Sequence, residues 1–318
     1  MTRSADPAVL GPSGEAESKA AGRPPPSTAK HLGRPDRAAL GKAARRRAPL
    51  DSHATFLEDL RPDPVDLLES QAATRVAELV PIRYGRMLAS PFTFFRGGAL
   101  IMATDLARTP SSGLQVQLCG DAHLSNFGVY ASPERRLLFD VNDFDETHPG
   151  PFEWDVKRLA ASLAVAGRDN GFTSKKRRKI VLASAAGYRE AMAAFAGQPN
   201  LAVWYAHMDT DEVLAQIGRK LDIKGRKRTQ EALDKARSRD SLQALAKLTT
   251  MVNGRARIVS RPPLVVPIEE LWPDEAPEPA YDRLRTLLTS YQRTLQWDRR
   301  HLIEQFELTQ MARKVVGV

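Results

Sequence analysis

The chain is expected to adopt an α+β fold, mainly helical, with a small β-hairpin region near residue 120. Two observations carry this expectation. Apolar residues recur at helical spacing through much of the chain, as at Leu67, Leu68, Ala72, Val76 and Leu79. Strand-like runs cluster around residue 120, with a mainly helical stretch after them, which suits α+β better than a doubly wound sheet.

The first 50 residues are rich in Pro, Gly, Ala and Ser, as in Gly22-Arg23-Pro24-Pro25-Pro26-Ser27. They bury too little apolar surface to offset their ordering entropy and are expected to form a disordered basic tail. The domain is expected over residues 51–318. A first helix is expected over 65–79, with Pro64 at its start and Pro81 as a break. A second is expected over 82–89, then an aromatic segment, Pro91-Phe92-Thr93-Phe94-Phe95-Arg96-Gly97-Gly98, then a helix over 99–107. Residues 114–118 alternate and predict a strand that delivers Gly120-Asp121 at its C-terminal end. Residues 127–130 and 136–141 predict two short strands, joined by turn chemistry at Ser132-Pro133-Glu134-Arg135. Helices are expected over 152–167 and 174–196, the latter capped by Thr173 or Ser174. Residues 201–248 read as helical in pieces. Asn253-Gly254 predicts a tight hairpin, 262–263 and 273–279 read as connectors, a long helix is expected over 280–306, and 312–318 begin as a strand.

Composition narrows the possibilities. The sequence holds 318 residues, 42% of them hydrophobic, enough for a sizeable core. No membrane span and no signal-peptide core is visible. Cys119 is the single cysteine, so no internal disulfide framework exists, and a cytoplasmic protein is expected. Of the net charge of +9, residues 1–50 carry +6, which leaves +3 for the other 268 residues. The runs at Lys175–Lys179 and Arg226–Arg228, with Arg219-Lys220 before the latter, read as solvated helix faces. No nucleic-acid partner is expected.

The chemistry concentrates in residues 119–146. Gly120-Asp121-Ala122-His123-Leu124-Ser125-Asn126 is followed by Asp140-Val141-Asn142-Asp143-Phe144-Asp145-Glu146. Asp121 is the candidate catalytic acid/base, able to orient a hydroxyl and accept its proton. Asn126 offers a neutral oxygen and Asp143 an anionic one, hard donors that suit Mg²⁺. Asp145 could add a second ligand or stand behind it. His123 could stiffen the loop, or ligate metal and join the chemistry. Arg96 could contact phosphate or snorkel from a packed segment. Phe92, Phe94 and Phe95 could stack on a base or pack in the core.

These motifs resemble the catalytic and metal-binding loops of aminoglycoside-phosphotransferase-like and other protein-kinase-like enzymes. They resemble more closely the bacterial domain-of-unknown-function-2252 family. The second resemblance runs from about residue 55 to 318 through Arg83-Tyr84-Gly85-Arg86-Met87, Ser90–Gly97, Cys119–Gly128, Asn142–Thr147 and Gly150–Ala160. It implies a kinase-like catalytic lobe, with Asp121 as the catalytic-loop acid, Asn126 and Asp143 as metal ligands, and ATP and Mg²⁺ as cofactors. It places Asp155 where such enzymes keep a buried Asp that braces the loop; a first-turn helix carboxylate is the other reading.

A kinase-like site also needs a glycine-rich cover and a phosphate-binding Lys. No Lys occurs from residue 43 to 156, and no G-x-G-x-x-G precedes Asp121. The resemblance implies that the nucleotide-covering lobe follows the catalytic loops and that the chain is a truncated form lacking most of it. The leading expectation is an ATP- and Mg²⁺-dependent phosphotransferase acting on an unknown acceptor. The alternatives are a metal-dependent phosphoesterase and a catalytically inactive kinase-like binding module.

Overall fold

Prolines and capping side chains decide where the helices begin. The computed structural model describes residues 32–55, 61–217, 222–238, 241–271 and 278–315. Helix α1 (Arg34–Arg47) has Pro35 in its first turn and three arginines in its last. It corrects the expectation that the whole basic tail is disordered. Residues 1–31 lie outside the described residues, but 34–47 are rich in Ala and Arg, strong helix formers. Ala44 and Ala48 are buried, and Arg47 donates to the Ser112 carbonyl at 2.7 Å.

Helix α2 (Pro64–Ala72) is capped by Asp63, which accepts from Val65 N at 2.7 Å. It ends seven residues short of the expected 79. Thr74 N and Arg75 N turn back to Gln71 and Ala72 in tighter bonds, and Val76 and Leu79 flank or belong to a separate 3₁₀ turn. Their helical spacing was genuine; their helix was not. Pro81 does not break a helix but sits in the first turn of α3 (Val80–Met87). The aromatic segment folds into α4 (Pro91–Gly97), which was not anticipated as a helix. A capping box supplies its start: Ser90 and Thr93 exchange side-chain-to-backbone bonds. Then comes α5 (Ala99–Leu106). Leu68, Met87 and Ile101 form the buried cluster that joins α2, α3 and α5, with Leu67 and Tyr84 packed on it.

Four strands follow: β1 (Gln115–Leu118), β2 (Phe127–Ala131), β3 (Leu137–Val141) and β4 (His148–Pro151). β2 and β3 form the expected antiparallel hairpin, with Phe127 opposite Val141 and Ala131 opposite Leu137. β1 pairs antiparallel with β4, Leu118 opposite His148. β4 contains two prolines, a pattern that argues against a central strand but is tolerated in a two-stranded ribbon.

Helix α6 (Glu153–Asp169) and the long α7 (Ser174–Ala196) pack together. Thr173 caps α7 by accepting from Lys176 N. The pieces after it are α8 (Asn200–Trp204), α9 (Thr210–Ile217), α10 (Ile223–Arg237) and α11 (Ser241–Leu248). Arg219 and Lys220 lie outside the described residues. β5 (Thr249–Val252) and β6 (Arg255–Ile258) form the hairpin predicted from Asn253-Gly254, both with positive φ. β7 (Val265–Pro267) and β8 (Ala312–Lys314) pair antiparallel, with α12 (Ile268–Leu271), α13 (Glu278–Thr294) and α14 (Trp297–Ile303) between them. Residues 273–277 of the expected connector and the last three of the expected C-terminal strand lie outside the described residues. The single helix expected over 280–306 is broken after Thr294. Arg300 folds back and donates to the carbonyls of Gln292 and Arg293, satisfying the end of α13.

Candidate active site

β1 and α6 hold the 119–126 loop from two sides. Gly120 leaves β1 with φ +83°. A Cβ at Gly120 would fall inside the carbonyl oxygen of Glu146, so the position needs glycine on both counts. The loop then tightens. His123 N donates to the Asp121 carbonyl at 2.7 Å, and Asn126 N to the His123 carbonyl at 2.9 Å. The Asn126 side-chain NH₂ donates to the Asp121 carbonyl at 2.9 Å, which leaves its amide oxygen to face elsewhere.

One stripe of α6 addresses the whole loop. Asp155, Arg158 and Ser162 stand at i, i+3 and i+7, on one helix face. The Asp155 carboxylate accepts from Cys119 N at 2.7 Å and Gly120 N at 3.2 Å. Arg158 Nε donates to Asp121 Oδ1 at 2.7 Å. Ser162 Oγ accepts from Leu124 N at 3.0 Å. Arg158 and Ser162 are both buried. Of the two readings left open for Asp155, the loop brace is the one its contacts describe. Burial beside the Asp155 carboxylate pushes the Cys119 thiol up to about 11, so it stays protonated at neutral pH and is a poor nucleophile.

His123 is 3% exposed. Its Nδ1 accepts from Ser125 N at 3.1 Å, and its Nε2 lies 3.5 Å from Asp121 Oδ2. The Nδ1 lone pair is therefore committed within the loop, and the neutral tautomer carries its proton on Nε2, toward Asp121. Burial lowers its pKa; the Asp121 charge opposes this, while Arg158 and Arg96 add to it.

The β2–β3 register brings the second acidic segment to the first. Asn142 N donates to the Asn126 carbonyl at 3.0 Å, one step beyond the Phe127–Val141 pair. Thr147 Oγ donates to the Leu118 carbonyl and accepts from Gln117, both at 2.7 Å, tying the far end of the segment to β1. Asp143 and Asp145 are exposed. The Asp145 carboxyl is raised above its ordinary range by partial burial first, then by its hydrogen bond to Asp143 and the charges of Asp143 and Asp121. Asp140 is an exposed strand-end acid bonded to Val141 N. Among the described residues, no three His, Cys, Asp or Glu side chains are grouped to hold a metal ion. A set built on Asn126, Asp143 and Asp145 has two carboxylates and one amide oxygen.

Arg96 and Phe95 stand on α4, beside the loop. The Arg96 charge reaches His123, and its Nε is buried with no hydrogen-bond partner. The Phe95 ring carries the Arg158 guanidinium 4.3 Å from its centroid, and the Phe95 carbonyl accepts from the same group at 2.9 Å. One ring face expected for a nucleotide contact is thus taken by Arg158. The structure gathers Asp121, His123, Asn126, Asp143, Asp145 and Arg96 in one neighbourhood. Sequence reasoning missed Arg158 and Ser162. Their signal was a polar i, i+3, i+7 stripe beginning at Asp155, set between apolar positions such as Val165 and Leu159.

Residues 75–318 match the family model described as "Uncharacterized protein conserved in bacteria (DUF2252)". The chain belongs to this family. The DUF2252 match takes in α3 through β8, and therefore the 119–126 loop, the hairpin and the α6 stripe. No curated protein and no solved structure matches the chain. Among the described residues of this DUF2252 member, no helix is long and apolar enough to cross a membrane.

Proposed function

We propose that this DUF2252 protein is a kinase-like phosphotransferase that moves the terminal phosphoryl group of ATP to an acceptor hydroxyl. The reading rests above all on the Asn142–Asn126 backbone bond. It ties the Asp143 segment to the Asn126 end of a loop whose other end, Asp121, is held by α6. A loop acid and an adjacent pair of oxygen ligands are the two capabilities phosphoryl transfer requires.

In this mechanism Asp121 Oδ1 is occupied by Arg158, and Oδ2 is the oxygen that receives the hydroxyl proton. The acceptor oxygen forms a bond to the terminal phosphorus, the bridging P–O bond breaks, and ADP leaves. His123 holds the loop shape and the Oδ2 edge; Asp155 holds the backbone behind it. The donor chemistry suits Mg²⁺ retaining several waters, with Asn126 and Asp143 as ligands and Asp145 beside them. When bound there, the ion would supply positive charge against the phosphate oxygens. Burial raises the Asp145 carboxyl first, and the like charges of Asp143 and Asp121 that add to it are a repulsion a cation would relieve. A phosphoesterase built on His123 is disfavoured, because its Nδ1 lone pair accepts from Ser125 N, which leaves the proton on Nε2 rather than a lone pair for a metal.

The test is ADP release and thermal shift with ATP. ATP with Mg²⁺ is expected to raise Tm more than ATP with EDTA, Asp143→Ala to lose that difference, and Asp121→Asn to lose ADP release while keeping the shift. A shift without turnover in the unmodified protein would point to the inactive binding module. A shift with Mn²⁺ alone, together with hydrolysis of a generic phosphate ester, would point to the phosphoesterase.

A further inference from the structure

A second, strongly basic feature lies outside this loop. A cleft of about 440 Å³ is lined by Arg75, Arg83 and Arg86 on one side and by Arg313 and Lys314 of β8 on the other. Its carboxylate balance is thin. Glu78 pairs with Arg313, and Glu146 is near enough to act on the charge of Arg83. Arg75 and Lys314 are exposed and form no ion pair among the described residues. Arg75 and Arg83 are close enough to repel one another. Arg83 Nη1 and Arg313 Nε are buried with no hydrogen-bond partner. Buried guanidinium N–H groups without acceptors are costly, and oxygen atoms of an anion would satisfy them.

We infer that this cleft binds the di- or triphosphate group of a small-molecule ligand. The chemistry is selective in two ways. Guanidinium forks match anionic oxygens two at a time, and a di- or triphosphate offers more such pairs to several arginines than a single carboxylate does. Arg75, Arg83, Arg313 and Lys314, with Glu78 their one ion-paired carboxylate among the described residues, also call for a ligand carrying several charges in a small volume. The concave shape and buried donors suit a phosphate group inserted into the cleft rather than a flat or rod-like polyanion lying across it. Arg83 also donates to the Gly97 carbonyl at 2.7 Å, directly after Arg96, so one arginine joins the cleft to α4. The binding claim goes beyond the phosphotransferase reading and does not require Asp121 or a metal.

Titration calorimetry with inorganic pyrophosphate and tripolyphosphate in EDTA tests it, on the unmodified protein, on Asp121→Asn and on Arg75→Gln/Lys314→Gln. Because both substituted cations of the double variant are exposed and unpaired, its thermal unfolding should match the parent. Expected are one-to-one binding, no change in Asp121→Asn, and about tenfold weakening or more in the double variant and for succinate as probe. Absence of pyrophosphate binding, or equal binding by the double variant, overturns the inference. Competition by ATP would assign the cleft to a nucleotide tail; simultaneous binding of ATP would assign it to another phosphorylated ligand. If pyrophosphate binds while ADP release fails, the cleft stands and the phosphotransferase reading falls.

Discussion

Arg158 and Asp121 are joined side chain to side chain, Nε to Oδ1 at 2.7 Å, with the arginine 2% exposed. The same guanidinium lies over Phe95 and donates to its carbonyl. The candidate catalytic carboxylate is thereby fastened to α4 and α6 at once. Removing one partner of a buried pair leaves the other uncompensated. Arg158→Met is expected to cost about 3–5 kcal/mol, and Asp121→Asn about 1–3 kcal/mol. The two effects should not add; urea unfolding of the single and double variants should show a coupling of about 1–3 kcal/mol. Simple additivity would mean that the pair does not hold the loop.

Asp155 makes a second, separable contribution. Its two oxygens each accept from one backbone N–H, at Cys119 and Gly120. Asparagine offers one acceptor where the carboxylate offers two, so Asp155→Asn leaves a part-buried N–H unmatched, at a cost of about 1.5–3 kcal/mol. Hydrogen exchange at amides 119 and 120 should accelerate more than at amides of β2. Uniform acceleration would assign Asp155 to general stability alone.

Much of this site was legible as chemistry but not as geometry. Asp121, Asn126 and Asp143 stood out because acids and an amide at loop spacing are unusual. Arg158 did not, because α6 was read for its apolar residues, and an arginine among them looks like an ordinary charged helix residue until its partners are known. The same limit affected the fold. Thr173 and Asn253-Gly254 act locally, and the α7 start and the β5–β6 hairpin fell where expected. The break after Thr294 depends on Arg300 reaching back over α13, a contact that helical periodicity does not encode. The end of α2 was likewise hidden, since Val76 and Leu79 keep helical spacing on a chain that has left the helix.

His123 gives the stability curve a defined acid slope. Burial lowers its pKa below the ordinary 6.5. Above that value the imidazole is neutral in folded and unfolded chains, and its contribution is fully present. As the pH falls below it, the unfolded chain takes up a proton that the native chain refuses, so stability drops until the lowered native value is passed. The slope from this one group is at most about 1.4 kcal/mol per pH unit. His123→Gln should flatten unfolding free energy between pH 7.5 and 5. An unchanged slope would mean that the buried ring does not drive it.

Asp145 works in the opposite direction. Its carboxyl is raised above 3.8, so the native chain holds a proton between 3.8 and the raised value that the unfolded chain has lost. The cost of ionising it beside Asp143 is then present at neutral pH and disappears in acid. Asp145→Asn should therefore raise Tm at pH 7 in EDTA, and the gain should vanish below pH 3.8. Mg²⁺ should stabilise the parent more than the variant. A variant less stable than its parent in EDTA would show that Asp145 is held by attraction, not crowded by like charge.

Two glycines separate backbone strain from close approach. Gly120 and Gly171 both have positive φ, +83° and +68°. Around Gly171 an added Cβ meets nothing within 4 Å, whereas at Gly120 it collides with the Glu146 carbonyl. Gly171→Ala should cost only the left-handed backbone penalty, about 1–2 kcal/mol. Gly120→Ala should cost that and a further 1–3 kcal/mol, roughly, for the collision. It should also displace the 143–147 segment, because Glu146 belongs to it, so any Mg²⁺-dependent stabilisation should weaken in Gly120→Ala and persist in Gly171→Ala. Equal unfolding costs for the two variants would mean that the Asp121 loop and the Asp143 segment are not in contact at this point, and the shared site built on that contact would lose its support.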